Sequence, residues 1–241
     1  MLIGVRKKLA QTRTRDFLLS RLGASRAQVH YVQVGANDGQ LDDPVFKIAQ
    51  HQGWSGLLIE PNPAYFAALT ALHGDNPKMT LVQCGVSSNH GSAQLFHLHP
   101  DSEHRFPDWA RGCASLDQER IAATLSKVIP DGASHLTETR IDLVPLRTVL
   151  GQNGIQRTDL LVVDVEGHEH DVLVSANIDT LSPDLVLVES NAGLDDDTDP
   201  VRRFLQEHGY RVSRIGDDLI AFGPGYPAVA PQDMLSLIGF A

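Results

Sequence analysis

Three segments at ordered spacing hold the residues of this chain that are best suited to chemistry. They are Val32–Gly39 with glycines at 35 and 39, Leu57–Ile59 followed by Glu60, and Asp159–Val163 followed by Asp164, Val165 and Glu166. In α/β folds, a strand, a glycine turn that opens a helix and an acid about 20 residues further on hold an adenosine-bearing cofactor. The acid accepts hydrogen bonds from ribose hydroxyls, and the glycines let the backbone approach the ligand closely.

The spacing of the glycines narrows the choice of cofactor. Dinucleotide folds use G-x-G-x-x-G, because a pyrophosphate must touch bare backbone. Here Asn37 stands where the second glycine would be, between Gly35 and Gly39. G-x-x-x-G followed by an acid resembles the S-adenosylmethionine site of class I methyltransferases, whose ligand has no phosphates. A tight strand–helix turn without any ligand is the alternative for the glycines alone.

Composition limits the class of protein. The 241 residues suit one α/β domain, and 42% apolar residues are enough for a sizeable core. The net charge of −10 and the absence of a basic run longer than Arg6-Lys7-Lys8 argue against nucleic acid or an anionic membrane surface as a partner. Neither an apolar leader nor a membrane span is expected, and two cysteines form no disulfide framework. A cytoplasmic setting is therefore expected.

Alternating apolar patterns predict an α/β order of elements. Helices are expected near 5–22, 42–51, 63–73 and 117–128, and strands near 30–34, 57–60, 79–83, 94–98, 144–146, 159–164, 184–189, 209–214 and 218–222. Gly216-Asp217 is a good hairpin turn between the last two strands. Residues 99–115 are polar and glycine-broken, which indicates a loop. We expect an N-terminal helical extension at 1–27, a main domain at 28–225 and a tail at 226–241.

The motifs together resemble the FkbM family of S-adenosylmethionine-dependent methyltransferases. The matching segments are 34–39, 59–63, 114–116, 144–150 and 159–169, with further agreement at 185–189 and at Gly209-Tyr210. The resemblance implies a Rossmann-like class I methyltransferase fold, with a mostly parallel seven-stranded sheet and an antiparallel closing hairpin. It also implies O-methylation of a hydroxyl on a sugar, glycan or polyketide-type metabolite. Family members often carry Lys two residues before the Asp164 position, where this chain has Val162.

The candidate site follows from the rule that ligands lie outside the carboxyl ends of parallel strands. The expected S-adenosylmethionine ligands are Gly35, Ala36, Asn37, Gly39, Glu60, Pro61, Cys84, Gly85 and Asp164, with adenine near 83–85. Asp164 and Glu166 are the candidate catalytic residues, because a base assists a hydroxyl nucleophile. A continued strand would put both side chains on one face, whereas a turn there would let them diverge. Both are expected to line the crevice beside the transferred methyl group. Glu166 or Glu169 could instead cap the next helix.

The histidines do not predict a metal site. His168 and His170 are two apart at a helix start and should point in different directions, as surface residues. His97, His99 and His104 lie in and after the end of the fourth expected strand, and one of them is a candidate base. That long segment, from His97 to Ser115, is expected to cover a small-molecule or glycan acceptor.

Two other functions remain open on the sequence. A non-catalytic binding domain with the same fold is consistent with Val162 in place of lysine, although Gly35, Gly39 and Glu60 argue for retained cofactor binding. A nicotinamide-dependent reductase is disfavoured by Asn37 and by the lack of a Tyr-x-x-x-Lys segment.

Overall fold

The computed structural model describes residues 2–41, 43–190, 198–216 and 218–228, with side chains from residue 11 onward. The strands are β1 (His30–Val34), β2 (Ser55–Ile59), β3 (Met79–Val82), β4 (Gly85–Val86), β5 (Gly91–Leu98), β6 (Ala114–Ser115), β7 (Leu136–Val144), β8 (Leu160–Val163), β9 (Leu185–Glu189), β10 (Arg211–Ile215) and β11 (Asp218–Phe222). The helices are α1 (Leu2–Ala24), α2 (Phe46–Gln52), α3 (Pro63–His73), α4 (Asp108–Gly112), α5 (Gln118–Val128), α6 (Leu146–Gln152), α7 (Glu169–Ser175), α8 (Ile178–Leu181) and α9 (Pro200–Glu207). Short 3-10 helices lie at Pro100–Arg105 and Gly132–His135.

A seven-stranded sheet in the order β10-β11-β9-β8-β1-β2-β3 forms the centre of the molecule. Within it, β11 runs antiparallel to both β9 and β10, and the other pairings are parallel. Strands buried on both faces read as continuous apolar runs, as β8 does with four buried residues. The predicted mostly parallel sheet with a closing antiparallel hairpin is therefore confirmed. Asp217 of the expected hairpin turn lies outside the described residues.

Helices cover both faces of this sheet. One core contains apolar side chains of β1, β8 and β9 together with those of α6, α7 and α9. The other core contains side chains of α1, α2 and α3, where Leu18, Leu19 and Leu22 are fully buried. Tyr226 donates from its hydroxyl to the carbonyl oxygen of Leu18 at 2.9 Å, which fastens the chain after β11 to α1. The predicted division of the chain into an extension at 1–27, a main domain at 28–225 and a tail at 226–241 stays a prediction.

A second sheet, in the order β4-β7-β5-β6, was only partly predicted. The expected strand at 94–98 is the end of β5, which starts at Gly91. The strand expected at 144–146 is wrong, since β7 ends at Val144 and α6 begins at Leu146. The loop expected at 99–115 is also wrong, since this segment forms a 3-10 helix, α4 and β6. It does so because Leu98, Phe106, Ala110 and Cys113 bury against α5, an apolar pattern too short and irregular to read locally.

No helix among the described residues combines the length and apolarity that crossing a membrane requires. The expected cytoplasmic setting stays a prediction.

Candidate functional site

A cavity of about 270 Å³ opens at the carboxyl ends of the central strands. Its walls come from the ends of β1, β2, β8 and β9, from β4, from the second sheet and from α4. Parallel strands point their carboxyl ends at the same edge of a sheet, so residues distant in sequence meet there. All the expected site residues except Gly39 line this cavity.

The turn after β1 brings bare backbone to the cavity. The N–H groups of Gly35 and Ala36 both donate to the carbonyl oxygen of Ile59 at 3.0 Å, which holds the turn against the end of β2. Gly35 has φ +83°, and a Cβ there would overlap the carbonyl oxygen of Asp164. Gly39, with φ +80°, lies away from the cavity and packs against Leu69 and His73. Gly35 therefore shapes the site, whereas Gly39 shapes the turn behind it.

Glu60 is buried and fastens the same turn to β2. Its Oε2 accepts a hydrogen bond from the N–H of Asn37, and its Oε1 accepts one from the N–H of Asn62, each at 2.8 Å. Burial raises the pKa of this carboxyl to about 7, and the two N–H donors act in the opposite direction. Each carboxylate oxygen accepts more than one hydrogen bond. Glu60 can therefore hold the turn and still receive ribose hydroxyls from the cavity side.

The residues after β3 form an apolar end of the cavity. Cys84, Gly85 and Val86 line it, next to Ile141 and Leu143 of the second sheet. A Cβ on Gly85 would meet the side chains of both Ile141 and Leu143, so glycine allows the two sheets to approach here. Burial raises the pKa of Cys84 to about 11, which leaves a neutral thiol in this wall. This end suits a flat apolar group such as adenine.

Three carboxylates converge in another part of the cavity wall. Asp164, Glu166 and Glu189 each place one oxygen within 4.8 Å of the others. We call them the carboxylate trio. The turn does not make Asp164 and Glu166 diverge: Glu166 adopts φ +54° and Gly167 φ +110°, and both carboxylates stay in the cavity wall. Among the described residues, the oxygens of the trio lie close enough together to hold a metal ion. The expectation that the protein needs no metal stays a prediction.

Glu189 is a site residue that the sequence reasoning missed. The β8–β9 register pairs Val163 with Val188, so Asp164 and Glu189 follow side by side at adjacent strand ends. The sequence did contain a signal for Glu189, since it is an acid at the end of an expected strand, as Asp164 is. One oxygen of Glu189 is buried and has no hydrogen-bond partner among the described residues.

Desolvation and repulsion raise the pKa of two members of the trio, Asp164 and Glu189. The Asp164 side chain is exposed to the cavity, and desolvation, followed by repulsion from Glu166, raises its pKa. The pKa of Glu189 is raised by desolvation and then by Asp164. The negative charge of Glu166 is partly compensated by Arg120, because Arg120 Nη2 lies 3.3 Å from Glu166 Oε2. Two adjacent carboxyls resist joint ionisation, which raises the pKa of a group that must accept a proton.

The residues that follow Glu166 have different positions: Glu169 caps a turn, His168 lines the cavity and His170 lies outside it. Glu169 is buried, and its Oε1 accepts from the N–H of Gly167 at 2.8 Å in the turn before α7. The prediction that His168 lies at the surface is wrong, since it lines the cavity and its Nε2 lies 3.0 Å from Ser87 Oγ. His170 points elsewhere and packs edge-on against Phe204. The expected divergence of the two histidines is thus observed, with His168 turned inward.

The segment between β5 and β6 supplies a cover for the cavity. We call residues 100–116 the lid; it contributes Trp109, Gly112, Cys113, Ala114 and Leu116 to the cavity wall. Tyr65 of α3 donates from its hydroxyl to the carbonyl oxygen of Arg111, and Gly112 packs against the Asn37 side chain. The lid is thereby attached to the glycine turn and to the helix after Glu60.

The three histidines of this region lie outside the described cavity wall. His97 is buried in β5, and its ring nitrogens contact the carbonyl oxygen of Leu98 and Thr139 Oγ1 at 3.0 Å. His99 caps the 3-10 helix that contains His104. Val162 is buried in the core on the α1 side of the sheet and does not line the cavity.

The strand order, with a single antiparallel strand near one edge, and the cavity at the carboxyl ends define a class I methyltransferase fold. The family profile described as the Methyltransferase FkbM domain matches residues 33–212, and the chain belongs to this family of S-adenosylmethionine-dependent methyltransferases.

Solved structures of low sequence identity are similar to this chain. The crystal structure of methyltransferase FkbM from Methylobacillus flagellatus KT is 15% identical, with a TM-score of 0.50, over 81% of this chain and 43% of that chain. The METTL16 methyltransferase domain is 9% identical, with a TM-score of 0.48, over 89% of this chain and 67% of that chain. Aeropyrum pernix fibrillarin, solved with natively bound S-adenosyl-L-methionine, is 10% identical, with a TM-score of 0.42, over 81% of this chain and 66% of that chain.

The chain thus spans less than half the length of that FkbM structure. No curated protein matches the chain significantly.

Proposed function

We propose that this chain uses S-adenosylmethionine to methylate a hydroxyl on a sugar, glycan or polyketide-type metabolite. The observation that carries the proposal is the meeting, in one cavity, of a glycine turn, a buried acid after β2 and the carboxylate trio. Family membership supports methyl transfer as the reaction. The carboxylate trio supports a hydroxyl as the nucleophile, because a carboxylate can accept the proton that a hydroxyl loses.

The residues present fit this cofactor. The backbone at 35–37 and the carboxylate of Glu60 would hold the amino acid and ribose parts, and Cys84 with Gly85 would border the adenine. None of the described residues that line the cavity is Lys or Arg, which agrees with a ligand that has no phosphates. When bound, the cofactor supplies a methyl group already activated by a sulfonium.

The chain's own residues then need to orient the acceptor and receive a proton. As the hydroxyl oxygen forms its bond to the methyl carbon, the carbon–sulfur bond breaks and sulfur keeps the electron pair. The hydroxyl proton passes to an ionised carboxylate, for which Asp164 and Glu189 are placed. Alignment of nucleophile and methyl group lowers the barrier by roughly 7–11 kcal/mol at the limit, and a positioned base adds about 10²–10⁴ in rate.

Calorimetry and turnover test the proposal together. Titration with S-adenosylmethionine, S-adenosylhomocysteine and NAD should give heat for the first two only, and labelled methyl should pass to members of a hydroxyl-compound library. Asp164→Asn should lower turnover by about 10² or more with little change in cofactor affinity. Asp101→Asn, an exposed carboxylate in the lid, is the matched control.

Each contrary result has a clear meaning. Binding of NAD in preference to the sulfonium compound would favour the reductase, and cofactor binding without turnover on any hydroxyl compound would favour the non-catalytic domain. Activity lost on chelation and restored by a divalent ion would make the trio metal ligands instead of proton acceptors.

A further inference from the structure

The cavity wall has an unusual balance of charge. Its ionisable side chains, apart from the neutral thiols and Tyr65, are Asp43, Glu60, Asp164, Glu166, Glu189 and His168. Among the residues whose side chains are described, no Lys or Arg lines it, and Arg120, which contacts the wall residue Glu166, is held in that ion pair. An anionic ligand would therefore meet repulsion from this wall, in which no described Lys or Arg compensates it.

Trp109 gives this acidic cavity an aromatic wall. Its side chain is 44% exposed and lines the cavity, whereas most large apolar side chains of the chain are buried. It lies one helical turn before Cys113, whose Sγ is 3.7 Å from the Trp109 carbonyl oxygen. The attachments of Arg111 and Gly112 to Tyr65 and Asn37 hold this turn of α4 in place.

Adenine has a different wall available. The expected adenine position at Cys84 and Gly85 is bordered by Leu95, Ile141 and Leu143 of the second sheet. Trp109 and Ser115 both belong to the lid, and Ser115 Oγ donates to the carbonyl oxygen of Glu166 at 2.7 Å. A short segment of the lid thus connects Trp109 to the backbone of Glu166, a member of the carboxylate trio.

Resting on the proposed function, we propose that the methyl acceptor is a ring compound without negative charge, which stacks on Trp109 and presents its hydroxyl to Asp164, Glu166 and Glu189. An indole face offers apolar contact to the flat face of a ring and attracts a nearby cation. Carboxylates accept strong hydrogen bonds from hydroxyl or ammonium donors. Neutral sugars and amino sugars can contact the indole of Trp109 and also donate hydrogen bonds to the trio. Uronic acids and sugar phosphates would place an anion beside the trio.

Tryptophan fluorescence tests this without any need for turnover. The chain has two tryptophans, and Trp54 is buried in the core, so Trp54→Phe leaves Trp109 as the single emitter. The variant is saturated with S-adenosylhomocysteine and titrated with methyl glucopyranoside, glucosamine, glucuronate and glucose 6-phosphate. If Trp54→Phe folds poorly, the difference between the wild-type spectrum and that of Trp109→Phe isolates the same emission.

The expected result is a change of Trp109 emission with methyl glucopyranoside and glucosamine, and at least about tenfold weaker binding of the two anions. The double variant Glu166→Gln, Glu189→Gln should reduce that discrimination. Trp109→Ala should weaken binding of the neutral sugar roughly 2- to 12-fold, and Trp109→Phe should restore most of it.

Three results would overturn the inference: no response to any of the four compounds, equal binding of the anions, or a complete emission change with S-adenosylhomocysteine alone. All three leave the proposed function standing as long as calorimetry detects cofactor binding. Absence of cofactor binding in calorimetry would instead reject the proposed function itself.

Discussion

Glu60 and Glu189 are both strand-end acids, yet their surroundings give them different tasks. Glu60 accepts two backbone N–H bonds and holds the glycine turn. Glu189 has a buried oxygen without a partner among the described residues and lies beside Asp164. The first arrangement suits a cofactor ligand, and the second suits a group whose proton is exchanged.

We predict that Glu60→Gln weakens S-adenosylmethionine binding by about 1.5–3 kcal/mol, the range for hydrogen bonds to a charged group. The amide has one accepting oxygen, so it cannot satisfy the N–H groups of Asn37 and Asn62 and also two ribose hydroxyls. Calorimetric Kd values measure the effect, with the exposed Glu119→Gln as control. Wild-type affinity in a folded variant would remove Glu60 from the cofactor site.

We predict that Glu189→Gln stabilises the protein at alkaline pH while lowering turnover. The folded-state pKa of Glu189 is raised above its ordinary value of 4.5, chiefly by desolvation. The neutral carboxyl is therefore favourable below about pH 4.5, and that contribution is lost as pH rises through the raised pKa. Glutamine stays neutral throughout.

The ligand-free variant should therefore melt a few degrees above wild type at pH 8.5 and at nearly the same temperature as wild type at pH 5. Each kcal/mol of added stability raises the melting temperature by roughly 2–4 °C. A melting difference that shrinks as the pH rises would contradict the assigned direction of the pKa shift.

At the scale of elements, the site depends on how closely the ends of β1 and β8 approach. Asp164 donates its N–H to the carbonyl oxygen of Val34 at 3.0 Å, and Gly35 fits beside the Asp164 carbonyl only because it has no Cβ. The glycine turn is consequently a contact between two strands as well as a ligand surface.

We predict that Gly35→Ala both destabilises the protein, by about 2–4 kcal/mol, and abolishes cofactor binding. The overlap with β8 backbone and the φ of +83° add a cost to the fold itself. Gly91→Ala, where a Cβ meets nothing within 4 Å, is the matched control. Thermal melting equal to that of this control would show that the turn relaxes freely.

For the whole molecule, the acidic cavity links cofactor binding to pH. Burial raises the pKa of Glu60 to about 7, and desolvation raises that of Asp164 in the cavity wall, so these carboxyls favour the protonated form more than free carboxyls do. A sulfonium cation favours the ionised carboxylates, so binding releases protons and affinity should rise with pH.

We predict that the Kd of S-adenosylmethionine falls between about pH 6 and 8, by up to tenfold per unit for each proton released. S-adenosylhomocysteine, which has an uncharged sulfur, should depend less on pH. Calorimetry in two buffers of different ionisation enthalpy counts the protons directly. Identical pH dependence of the two ligands would mean that the carboxylates do not sense the sulfonium.

The sequence by itself determined the sheet, the strand-end acids and the family. Parallel strands are buried on both faces, so β1, β2, β8 and β9 read locally as apolar runs that end in glycine or an acid. The rule that ligands lie at carboxyl strand ends then located Gly35, Glu60 and Asp164 in one cavity. These features repeat with short periods or fixed spacings, so neighbouring residues suffice to predict them.

Only the tertiary structure decided which side chains meet. Glu189 joins the trio through the β8–β9 register, and Glu166 joins it through a left-handed backbone turn. The lid folds because Phe106 and Cys113 find apolar partners on α5, and Trp109 reaches the cavity as a result. Each outcome depends on contacts between segments far apart in the chain, and the free energy of such contacts is set by register and packing rather than by any local pattern.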